Sequence, residues 1–189
     1  MICKQVGAEV TTYIGLLRAI NVGGRNRIAM ADLRALLESL GYSGVQTLLQ
    51  SGNVVFKTRA ASSAVLERDL QDETEKACGV RVDYFLRTAA EWKGIVASNP
   101  HPKEAKCDPA RVVVLCLKGA PSPSHLSALR TAIRGPETVE LRGRELYAVY
   151  PDGQGTSKLT NALIESKLQT RGTARNWNTV LKLAALAGV

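Results

Sequence analysis

Aromatic residues make up only 5% of this 189-residue chain, and it holds just four cysteines and two histidines. So few aromatics argue against a base-stacking surface of the kind single-strand RNA binders use. Cys3, Cys78, Cys107 and Cys116 form no C-x-x-C pair, and His101 and His125 stand at no metal-ligand spacing from them or from each other. No metal site and no cofactor is indicated, and the thiols read as reduced and structural. A Cys/His pair such as Cys107 with His101 could meet in space as a nucleophile and its base. Long apolar runs are lacking too: outside the C-terminal tail the longest is VVVLCL from Val112, far short of the roughly 20 residues that span a bilayer. The first ten residues, MICKQVGAEV, carry no signal-peptide core. A cytoplasmic protein with no membrane partner is expected.

What is present suffices for an unaided fold, since 45% of the residues are apolar. The net charge is +8 and uneven: residues 1–100 hold 12 basic against 10 acidic side chains, and residues 101–189 hold 13 against 7. A basic second half suits an anionic partner or simply maintains solubility.

TYIGLLRAI, from Thr12, is apolar on both alternating faces, the pattern of a central strand covered on both sides. MADLRALLESLGY follows with apolar residues at helical spacing and Gly41 as its stop. VQTLLQ, SGN and NVVFKT read as a hairpin. An acidic amphipathic helix opens at Ser62 or Ser63 and closes at Gly79, and VRVDYFLR is a fourth strand. This order, β-α-β-β-α-β, is that of a ferredoxin-like unit over residues 11–87. The same topology belongs to RNA-recognition motifs, but NVVFKT lacks their aromatic pattern.

Residues 88–110 supply a connecting helix and linker. Residues 111–189 form a second, related unit: a strand at RVVVLCLKG, a helix at SPSHLSALRTAI, a hairpin turning at Gly143, and two C-terminal helices at SKLTNALIESKLQ and NWNTVLKLAALA. The fold class is therefore α+β.

Two stretches share a layout of strand, glycine-bearing loop and helix start with a basic residue nearby: Asn21 to Arg27, including Gly23 and Gly24, and YPDGQGTSKLT, including Gly153, Gly155, Ser157 and Lys158. Exposed N–H groups at a helix start, approached closely past glycine, attract phosphate or carboxylate. Neither stretch has P-loop or G-x-G-x-x-G spacing. Ser51 and Asn53 of SGN serve a turn by default and could also point into a neighbouring site. Near the C-terminus, Trp177 anchors the last helix and Thr173, Asn176 or Asn178 caps it, which leaves Arg175 and at least one asparagine for an oxyanion or for docking the glycine loop.

YIGLLRAINVGGRNRIAMADLRALLESLGY, TLLQSGNVVF, YPDGQGTSKLT and TARNWNTVLKL together resemble the bacterial family catalogued as domain of unknown function 1697. The resemblance covers nearly everything after Tyr13 and implies a two-part α+β fold, with no activity, substrate or cofactor attached. The family's recurrent segments fall on Asn21–Gly24, Ser51–Asn53, Gly153–Lys158 and Arg175–Thr179. Ala19 stands where glycine is more usual, and Leu48 where tyrosine is.

The functional expectation is an anionic small ligand, phosphorylated or carboxylated and such as a nucleotide, bound between the two subdomains by the glycine loops with Lys158 and Arg175. An enzyme acting on a phosphorylated substrate, or a protein or nucleic-acid interaction module using the basic half, are the alternatives. Catalysis and oligomeric state are left open.

Overall fold

The computed structural model describes residues 10–18, 20–21, 27–59 and 62–189. The chain divides into two compact units, residues 1–90 with 186–189, and residues 91–185.

In the first unit β1 (Val10–Leu17), β2 (Ser43–Leu48), β3 (Asn53–Arg59) and β4 (Tyr84–Thr88) form one antiparallel sheet in the order β2-β3-β1-β4, with α1 (Met30–Ser39) and α2 (Ser63–Cys78) between them in sequence. β1 is a central strand of this sheet, between β3 and β4, and both of its faces are buried. Tyr13 and Leu17 join the core with Leu33 and Leu37 of α1 and Leu66 and Leu70 of α2. On the opposite face Ile14 and Leu16 are also fully buried. Tyr84 carries its hydroxyl into this core against Thr74, at 2.7 Å, as a buried phenol requires. Helix α2 stops at Gly79, whose φ of 66° is the left-handed cap that the sequence indicates.

α3 (Ala89–Ala97) and α4 (Pro102–Cys107) come next. The linker expected around residues 100–110 thus contains a short helix, started by Pro102 at its first position. His101 precedes α4 and Cys107 ends it, which separates them by about 9 Å of helix rise. His101 Nε2 has no hydrogen-bond partner among the described residues, so the pair does not form.

The second unit repeats the first. β5 (Val112–Leu117), α5 (Pro123–Ala132), β6 (Thr138–Arg142), β7 (Glu145–Val149), α6 (Asn161–Leu168) and β8 (Gly172–Asn176) give an antiparallel sheet in the order β6-β7-β5-β8, and α7 (Trp177–Ala187) follows. Two sequence expectations are corrected here. Residues 172–176 are a strand, the fourth of this sheet, where none was expected. Helix α6 begins at Asn161, after its cap Thr160, and not at Ser157. The four residues before it are held in a turn of their own, which the site geometry explains. The fold is thus α+β, a ferredoxin-like unit followed by a second unit of the same topology.

Candidate functional site

The loop leaving β1 is pinned by its own asparagine. Asn21 sits at φ 54°, a left-handed conformation asparagine tolerates better than most residues. Its Nδ2 donates to the carbonyls of Ile28 at 2.9 Å and Gln50 at 2.8 Å, and its Oδ1 accepts from Ile28 N at 3.0 Å. One amide thus closes the loop on itself and ties it to the β2–β3 hairpin. Gly23 and Gly24, also expected here, lie outside the described residues, as does Ala19.

The SGN turn is similarly self-contained. Asn53 is fully buried and its Nδ2 donates to Leu48 O at 2.8 Å and Ser51 Oγ at 3.1 Å. Gly52 has φ 72°, and a Cβ there would stand 2.5 Å from Ile20 Cδ1 and 2.8 Å from Leu17 Cβ. Its carbonyl accepts from Leu17 N at 2.8 Å. The glycine is required because the hairpin tip closes against the end of β1. Ser51 and Asn53 are committed to that closure.

Beside Asn21 an open cavity of about 320 Å³ is lined by Asn21, Arg27, Ile28, Ala29 and Gln50. It lies at the start of α1, whose N-cap is Ala29 and which no side chain among the described residues caps. An uncapped helix start leaves N–H donors and the positive end of the dipole open to an anion. Arg27 is exposed and adds a full charge. The first turn contains one acid, Asp32, which is absent from the lining; its charge is felt at Cys78, whose thiol is pushed up by burial first and by Asp32 second. The described lining is therefore net positive. Arg27 closes the Asn21–Arg27 stretch read from sequence; Ala29 and Gln50 were not singled out. The available signal was an alanine where Ser, Thr, Asp or Asn usually opens a helix.

The second glycine loop is built differently. Gly153 has φ 87°, so it serves the turn in which its N–H meets Tyr150 O at 2.9 Å. Thr156 Oγ1 donates to Asp152 O at 3.2 Å, Ser157 Oγ donates to the Glu137 carboxylate, and Leu159 N donates to Ser157 Oγ at 2.9 Å. With Thr160 capping α6, no helix start lies at Gly153, Gly155, Ser157 or Lys158. A cavity of about 230 Å³ does lie there, lined by Arg134, Glu137, Asp152, Gly153, Ser157 and Lys158 among others. Two carboxylates balance its two cations, and one already occupies Ser157.

Arg175 is absent from that lining and 9% exposed. Its Nη1 donates to Thr173 Oγ1 at 2.9 Å and Ala174 O at 2.7 Å. Burial lowers its pKa from 12.5 to about 10, partly opposed by Cys116, so it stays cationic at neutral pH. Arg87 of β4, 1% exposed, is its counterpart. Arg87 pairs with Ile14 of the first strand as Arg175 pairs with Val114 of the fifth, and each donates Nη1 to the carbonyl before it. A buried arginine at the end of the fourth strand is thus a repeated feature of the fold. Asn176 caps α7, its Oδ1 accepting from Thr179 N at 3.0 Å and from Thr179 Oγ1 at 2.9 Å. Asn178 is exposed. Lys158 and Arg175 share none of the described cavities.

Comparison with known families matches residues 10–147 to the protein of unknown function family DUF1697. The chain belongs to this family. The DUF1697 match includes the Asn21 loop, SGN and the α1 start, and ends before Gly153–Lys158 and Arg175–Thr179. Among solved structures, the conserved bacterial protein SP0830 from Streptococcus pneumoniae superposes with a TM-score of 0.73 at 22% identity, covering 95% of this chain and 99% of that one. At that identity the likeness shows a shared fold alone. No curated protein matches the chain. No helix among the described residues is long and apolar enough to cross a membrane, and no group of three or more His, Cys, Asp or Glu among them is placed to hold a metal ion.

Proposed function

We propose that this protein binds a small anionic ligand, a phosphate ester or carboxylate, at the start of α1. The observation that carries the reading is the cavity beside Asn21, where an uncapped helix start and Arg27 meet in a lining without a described carboxylate. In the second unit α5, α6 and α7 are closed by the side chains of Ser122, Thr160 and Asn176, whereas α4 has no side-chain cap among the described residues and none of the described cavities at its start. Helix α2 also lacks a side-chain bond from Ser62, but no acceptor cavity among those described lies at its start.

Binding is favoured over catalysis because the described lining supplies no nucleophile or general base. A polyanion on the basic half is a weaker reading. Arg111, Arg130 and Arg144 are paired with Asp108, Glu140 and Glu91, and Arg175 is buried, which leaves fewer cations for a phosphate backbone.

The test is thermal stability of the full chain against inorganic phosphate, sulfate, citrate and a mononucleotide at constant ionic strength. A ligand at a hundredfold its dissociation constant adds about 2.7 kcal/mol. The response is expected to vanish in Arg27→Ala and to persist in Lys158→Ala. No response to any of these anions, or one indifferent to Arg27→Ala, overturns the reading.

A further inference from the structure

In the second unit α3 lies along the β6–β7 hairpin. Tyr147 Oη donates to Ile95 O at 2.8 Å and Arg144 Nη2 donates to Glu91 Oε1 at 3.1 Å. Between helix and hairpin is a cleft of about 240 Å³ whose lining includes Glu91, Gly94, Ser98, Arg142, Arg144 and Glu145.

Two properties of this cleft have no structural explanation. Gly94 is interior to α3, where glycine is a poor helix former. It has no positive φ, and a Cβ placed on it would meet nothing within 4 Å. Neither backbone nor packing calls for glycine, yet it forms part of the cleft wall, where a missing methyl group lets a ligand approach the helix surface. Ser98 lies one turn further on the same face. Secondly, the Arg142 side chain is exposed and has no hydrogen-bond or ion-pair partner among the described residues, although it stands directly across the β6–β7 ladder from Glu145. Paired positions on such a ladder hold their side chains about 5 Å apart. Tyr147 senses both: burial first and Glu145 next push its phenol up, and Arg142 pulls it down.

The lining is charge-balanced, with Arg142 and Arg144 against Glu91 and Glu145. A simple anion would meet two carboxylates and a simple cation two guanidiniums. A ligand carrying both charges a few ångströms apart complements it. We propose that the cleft binds a free α-amino acid with a small side chain. Arg142 receives the carboxylate, in the two-point geometry guanidinium favours. Glu145 faces the ammonium; a carboxylate has several acceptor positions and need not be vacant to do so. The Gly94–Ser98 face of α3 accommodates the Cα and side chain.

Isothermal titration of the full chain with glycine, L-alanine, L-serine and L-threonine tests this, with N-acetyl-L-alanine and L-alanine methyl ester as probes that each lack one charge. Saturable binding of at least one free amino acid is expected. Each blocked analogue of alanine should bind at least about tenfold more weakly than alanine, the loss of one charge-assisted contact. Arg142→Ala should weaken binding to a similar degree. Gly94→Ala should raise the melting temperature of the unliganded protein while weakening binding, which separates obstruction of the cleft from damage to the fold. Absence of binding by all four amino acids, equal binding of a blocked analogue, or unchanged affinity in Arg142→Ala or Gly94→Ala overturns the proposal. Arg27→Ala, which tests the anion site, should leave this binding intact.

Discussion

Asn21 and Gln50 lie 29 positions apart in the chain and are joined by a hydrogen bond of 2.8 Å from the Asn21 amide to the Gln50 carbonyl. Through it the loop after β1 and the hairpin between β2 and β3 form one corner of the first unit, against which the start of α1 is set. Asn21, which opens one recurrent motif, is thus bonded to the residue that precedes the other, SGN.

Asn21→Ala should therefore destabilise the protein well beyond a surface substitution. It removes three hydrogen bonds, each worth about 1 kcal/mol net, and places alanine at positive φ. We expect a loss of about 2–4 kcal/mol by urea denaturation. Asn21→Gly relieves the backbone strain but not the lost bonds, and should lie between alanine and wild type.

Gly52→Ala combines positive φ with a Cβ driven against Ile20 and Leu17. The flexible end of Ile20 can yield, but Leu17 Cβ is fixed to its strand. A loss of about 3 kcal/mol or more is expected, read as a lowered denaturant midpoint. A loss below about 1 kcal/mol would mean the hairpin tip does not need this close approach.

Ala29→Asp supplies the cap that α1 lacks. It should stabilise the unliganded protein by about 0.5–2 kcal/mol and abolish the response to phosphate or citrate, because its own carboxylate takes the ligand's place. Stabilisation with an undiminished anion response would put the anion elsewhere.

At the C-terminal end, Asn176→Ala should cost about 1 kcal/mol through loss of the α7 cap, whereas Asn178→Ala, at an exposed position, should fall within about 0.5 kcal/mol of wild type. Equal effects in thermal melts would contradict the assignment of Asn176 as the cap.

Alkaline titration reports on the two cores. Tyr84 and Tyr150 are pushed up from 10.0 to about 12, burial being the main cause for both; the Thr74 bond partly opposes it at Tyr84, and Glu137 adds to it at Tyr150. Between these values the native state holds more phenolic protons than the unfolded chain, so stability falls as pH rises through that window. Each phenol contributes about 2 kcal/mol to this decline. Urea midpoints should drop across it, and the drop should be shallower in Tyr84→Phe.

The elements that were legible are those with a strong local pattern. β1 was readable as a central strand because both of its alternating faces are apolar, and α2 because a serine opens it and Gly79 closes it. β8 was not readable, since its five residues, GTARN, have no alternation and include Arg175, whose burial depends on pairing with β5. The start of α6 was misplaced because Thr156, Ser157 and Thr160 all qualify as caps locally. Only the position of Glu137, twenty residues earlier, draws Ser157 into a different bond.

The sequence by itself determined the two-unit α+β order and the covered faces of the strands, because these follow from side-chain periodicity and composition within a few neighbouring residues. Which polar groups were free to meet a ligand was decided only by the tertiary structure. Asn53 and Asn176 find partners within their own turns, Asn21 and Ser157 reach Gln50 and Glu137 far away in sequence, and Arg175 is drawn into the sheet. The uncapped start of α1 was left open, because in a hydrogen-bonded fold a donor's availability depends on which distant acceptors the chain brings to it.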